Sequence, residues 1–154
     1  MKKGLKLSFA GLALVLALSL AGVVWYSVGL LGGSDVTDSA TITNAFREEF
    51  GEQPSSDIED IQFRRSGSGD LVWFTFRATQ RTIEPLLRRF EPADRSAYEK
   101  VSRRPGSPSW SRPSSDKVTF YRAYDWSPNV DASVAVLCLD QATSTIYFSR
   151  LAID

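Results

Sequence analysis

Residues 58–78 read IEDIQFRRSGSGDLVWFTFRA, and this stretch decides the fold. Two runs, Ile58 to Arg65 and Leu71 to Ala78, flank SGSGD, whose Gly and Asp suit a hairpin turn. In the second run Val72, Phe74, Phe76 and Ala78 alternate with Leu71, Trp73, Thr75 and Arg77. Successive side chains of a strand point to opposite faces, so the first set makes a core face. Trp73 predicts partial cover of the other face as well.

Working outward, ATITNAFREEF at 40–50 places Ile42, Phe46 and Phe50 four residues apart, the stripe of a helix. Ser39 or Asp38 can cap its start, and Gly51 is placed to end it. After the hairpin, QRTIEPLLRRF carries Ile83, Leu86, Leu87 and Phe90 on a second helical stripe. Proline is tolerated in a first turn, so Pro85 predicts that this helix starts at a Thr82 cap. Residues 92–116 are irregular: SAYEK suits a helical turn, and RRPGSPSWSRPSSD reads as a long exposed loop, a length reserved for functional or mobile segments. Three strands follow, at Lys117–Trp126, in the apolar run SVAVLCL, and at Thr145–Leu151. The sum is an α+β body over residues 40–154, with one antiparallel sheet of about five strands and two helices on one face.

The N-terminal part is of another kind. Lys2, Lys3 and Lys6 precede LSFAGLALVLALSLAGVVWYSVGLL at 7–31, which holds no charge. As a helix this run is roughly 37 Å long, against a hydrocarbon core of about 30 Å. It reads as a transmembrane signal anchor, with Trp25 and Tyr26 at the far interface. The basic residues 1–6 place the N-terminus in the cytoplasm and the C-terminal domain outside it, on a single-pass protein of the cell envelope. The alternative is secretion after cleavage near Ala21, at Ser19-Leu20-Ala21, which leaves an apolar tail on the product. Lipoprotein processing is excluded, because the one Cys is Cys138 and none stands directly after the apolar run. Ala13, Ala17 and Ala21 share one helix face, a spacing that permits weak self-association. GGSDVTDS at 32–39 reads as a short linker that holds the body close to the lipid.

Several chemistries are excluded by composition. With no His there is no His-based triad or His-ligated zinc, and one Cys cannot form an intrachain disulfide. No nucleophile elbow, Walker loop or dinucleotide fingerprint occurs. Asp57, Glu59 and Asp60 cluster at a strand entrance, where solvated surface is the simpler reading than acid–base work or a hard cation. Asp125 and Asp140 read as turn residues, and Cys138 as a buried inert thiol. No catalytic, cofactor or metal-ligand set is therefore assigned.

Charge is uneven. Residues 77–122 carry a net +6, against −6 over 32–76 and −3 over 123–154. Arg88, Arg89, Arg103, Arg104, Trp110 and Arg112 form the candidate contact set for an acidic protein or anionic headgroups. Export argues against nucleic acid as the partner. The sequence therefore reads as a membrane-anchored, extracytoplasmic binding or accessory domain without enzymatic chemistry. The alternatives are an inhibitor or immunity-type protein of an exported enzyme, and a cell-envelope hydrolase working through two of the five carboxylates.

Overall fold

A computed structural model describes residues 33–127 and 132–153. The basic start, the apolar run 7–31 and its Ala13–Ala17–Ala21 face lie outside the described residues. Among the described residues no helix is long and apolar enough to cross a membrane.

The elements are β1 (Ser34–Val36), α1 (Ser39–Phe50), β2 (Glu59–Arg65), β3 (Leu71–Arg77), α2 (Gln80–Leu87), β4 (Glu91–Ala93), α3 (Arg95–Ser102), β5 (Val118–Tyr124), β6 (Ser133–Asp140) and β7 (Thr145–Ala152), with a 3-10 turn at Ser109–Ser111. The strands form one antiparallel sheet in the order β1-β2-β3-β7-β6-β5-β4. The α+β class and the five long strands match expectation, but the sheet has seven strands. The two extra strands, SDV and EPA, are three-residue edges, too short to carry an alternation. Residues 34–36 thus leave the expected linker and join the domain as edge strand β1. Gly33 precedes it because a Cβ there would collide with the Arg65 carbonyl.

Alternation divides the core. Val72, Phe74 and Phe76 of β3 pair with Arg150, Phe148 and Ile146 of β7, and this face carries the main core. Helix α1 lays Ala45, Phe46 and Phe50 on it, and α2 adds Ile83. Phe50 lies 4.9 Å from Phe148 and Phe46 lies 5.4 Å from Phe76, ring centre to ring centre, at tilted or edge-on angles that aromatic quadrupoles favour. The Asp38 carboxylate caps α1 by accepting the Thr41 N–H at 2.8 Å, and Gly51 ends the helix at φ 85°.

The opposite face is covered too, as Trp73 led us to expect, and the cover includes a third helix beyond the two expected. Tyr98 and Val101 of α3 pack on Val136, Cys138 and Tyr147. Trp73 is completely buried there and donates its indole N–H to the Ser102 carbonyl at 3.3 Å. The Tyr98 hydroxyl donates to the Ser111 carbonyl at 3.0 Å, and Trp110 donates to Asp35 of β1 at 3.2 Å. The segment after α3, expected as an exposed loop, is therefore the lid of a second, smaller core. Its Pro and Ser content masked this, because much of the fastening is through backbone carbonyls rather than an apolar stripe.

Helix α2 starts three residues earlier than expected, at Thr79, and keeps Pro85 inside. The Thr79 carbonyl accepts N–H groups from both Thr82 and Ile83 at 3.0 Å, which anchors the first turn and leaves the exposed Pro85 ring toward solvent.

Candidate functional site

Helices α1 and α2 lie on one face of the sheet, with the 51–58 segment beside them. The three enclose a groove of about 290 Å³. Its floor is apolar, with Phe46, Phe50, Ile58, Phe76 and Leu86, and its rim carries Arg81, Arg89, Glu52 and Gln53. Among the described residues Arg81 has no carboxylate partner. Pockets that bind ligands have this composition, an apolar floor with a few polar groups converging on it.

Asp57 fixes one wall. Its carboxylate accepts the hydroxyls of Ser55, Thr79 and Thr82, the last at 2.8 Å and 3.0 Å to its two oxygens. These hydrogen bonds, Ser55 first, hold its carboxyl far below the usual aspartate range. Asp57 therefore stays ionised and ties the 51–58 segment to the start of α2. A group so held is a poor general acid.

The other carboxylates do not converge on it. Glu59 and Asp60 both pair with Arg77, at 3.2 Å and 2.6 Å. Asp140 is buried at the β6–β7 turn and accepts the Ala142 N–H at 3.0 Å, as a turn aspartate does. Asp125 follows β5 at the opposite end of the sheet from Asp140, with φ 50°. Glu59 and Asp140 share a row but are separated by β3 and β7, three strand spacings or about 14 Å, too far for an acid and base flanking one bond. Glu59 and Asp60 meet at one Arg77 nitrogen on an exposed strand entrance, outside the residues that line the groove. Among the described residues no group of three His, Cys, Asp or Glu side chains could hold a metal ion.

The expected basic contact set is divided by the sheet. Arg88 and Arg89 are both exposed at the end of α2, but Arg89 is also engaged by groups of the domain itself. The Arg89 guanidinium stacks 4.0 Å from the Trp126 ring centre and donates to the Phe50 carbonyl at 3.0 Å, where it closes the end of α1. On the other face Arg103 pairs with Glu99 at 2.8 Å, and Arg104 reaches the Lys100 carbonyl at 3.4 Å. Arg112 borders a small cleft of about 40 Å³ together with Arg95, Tyr98 and Arg103. Trp110 is half-buried and held by Asp35, whose carboxyl is lowered chiefly by its hydrogen bond from Arg64 at 2.8 Å. One basic stretch of sequence thus becomes two separate surfaces.

Comparison with protein-family models, with curated proteins and with solved structures finds no counterpart to this chain. The reading of the site accordingly stands on its geometry alone.

The sequence reading missed one pair. Glu49 of α1 and Arg150 of β7 meet in the core, where the Arg150 Nε donates to the Glu49 carboxylate at 2.9 Å with only 3% and 5% of the residues exposed. Burial pushes the Glu49 carboxyl up, and the Arg150 guanidinium offsets only part of that rise. Both charges occupy inward registers, Glu49 three residues after Phe46 and Arg150 two after Phe148, so the signal was present in the periodicity.

Proposed function

We propose that this protein is a non-enzymatic binding domain, tethered to a membrane through residues 7–31 and displayed outside the cytoplasm. In this reading the α1–α2 groove takes an extended segment of a partner protein that carries an apolar side chain next to a carboxylate. The observation that carries the reading is the groove itself: a floor of Phe46, Phe50, Phe76 and Leu86 beside an Arg81 that lacks a carboxylate partner among the described residues. Arg suits this role because its planar guanidinium matches a carboxylate in two hydrogen bonds. Arg88, exposed one helical turn from Glu84, adds positive charge on the same face. The tether supports the reading by confining the domain to a surface, where a weak groove gains effective concentration.

A photo-crosslinking side chain in place of Gln53, in membranes of the native host, tests this. The expected adduct is one protein, joined through an acidic peptide and reduced about tenfold by Arg81→Glu, the loss of one charge-assisted contact. Arg104→Glu, on the other face, leaves it unchanged. Equal crosslinking in both variants, or adducts no different from those at Ala142, would overturn the reading.

A further inference from the structure

Strand directions place several chain segments together at one end of the sheet. Ser34 of β1 lies opposite Arg65, and Leu71, Leu151, Val134 and Tyr124 form the neighbouring row across β3, β7, β6 and β5. The start of β1, the Ser66–Asp70 hairpin, the end of β5 and the end of β7 therefore share one rim. The β6–β7 turn at 141–144 lies at the other rim.

This first rim has an uncommon surface. Tyr124 and Ile153, 59% and 50% exposed, are the large apolar side chains left open to solvent among the described residues, and both belong to it. Elsewhere the domain covers such side chains efficiently, so their concentration at one rim asks for a partner. The apolar run lies close to this rim along the chain. Only Gly32 and Gly33 separate Leu31 from Ser34, and three residue steps reach at most about 10 Å. The headgroup layer of a bilayer is roughly 5–8 Å deep on each side. A first strand that starts within that reach leaves this rim able to meet the lipid surface.

We infer that the rim bearing Tyr124 and Ile153 rests in the interfacial layer of the bilayer that holds residues 7–31. This rests on the tethered reading above. Tyrosine suits that layer, with an apolar ring and a hydroxyl that remains hydrated. Among the described residues the charges near the rim are Arg65, Asp70, Asp125 and Arg122, whose guanidinium lies 5.4 Å from the Tyr124 ring centre, so the signs balance and the contact fits a zwitterionic surface rather than an anionic one. The sheet then stands on its end, with the α1–α2 groove on a side wall and the 141–144 turn directed away from the membrane.

Site-directed spin labelling of the full chain in phosphatidylcholine vesicles tests the inference. Cys138 is completely buried and stays unlabelled, so single labels can be placed at Ser68→Cys and Tyr124→Cys on the rim and at Ala142→Cys on the far turn. The expected result is that both rim labels are about threefold less accessible to a water-soluble nickel chelate than the label at 142, as for groups at headgroup depth. Adding Tyr124→Asp and Ile153→Asp to the Ser68 label is expected to restore accessibility. Rim labels as accessible as the label at 142, in protein that still floats with the vesicles, would overturn the inference and leave the tether standing. Protein that fails to float would remove the tether reading and this inference with it.

Discussion

Removing the Glu49 carboxylate would leave the Arg150 guanidinium charged inside the core, where an unpaired ion costs far more than the pair contributes. Glu49→Ala is expected to lower stability by about 3–5 kcal/mol in urea titrations. The double variant Glu49→Leu/Arg150→Met, which removes both charges, is expected to lose much less, and a double-mutant cycle reads the difference as coupling. Asp57 acts in the opposite direction. Its folded carboxyl binds a proton more weakly than the ordinary aspartate value of 3.8. As pH falls below that value the unfolded chain takes up the proton first, so the stabilisation present at neutral pH is lost progressively in acid. Asp57→Asn should therefore be less stable than the parent at pH 7, with the gap narrowing below about pH 4 in a series of thermal melts. An unchanged gap across that range would mean that Asp57 holds α2 by shape rather than by charge.

The five long strands were legible from alternation, as in β3, or from a continuous apolar run, as in β6, and α1 because Ile42, Phe46 and Phe50 repeat on one face. Helix α3 was legible only as a helical turn at SAYEK and the segment after it not at all, because Tyr98 and Val101 are too few to make a stripe and the rest is held through backbone carbonyls. Those carbonyl bonds give the element its own test. Tyr98→Phe keeps the ring and removes the hydroxyl that serves the buried Ser111 carbonyl, a loss expected to cost about 1–2 kcal/mol. The same change should speed amide exchange and proteolysis within 103–117 while leaving α1 and α2 protected. Edge strands β1 and β4 were missed for a different reason: three residues contain no measurable period, and their pairing with β2 and β5 is set by neighbours far away in sequence.

Burial over the whole domain governs the one thiol. Cys138 sits in β6 with cover from α3, and burial pushes its pKa up to about 12. Reaction with a disulfide reagent at pH 8 should run about a thousandfold slower in the native protein than in urea, on thiolate fraction alone. A fast native reaction would mean that the α3 cover opens. Composition and period were enough to exclude His chemistry and an intrachain disulfide, to assign an α+β body and to place Cys138 in a buried strand, since each depends on residue type or near neighbours. Three things needed the folded chain: the side of the sheet each helix takes, the separation of the arginines into two surfaces, and the meeting of Glu49 with Arg150 across 101 residues. Each depends on strand order and long-range register, which bring together residues that no local pattern relates.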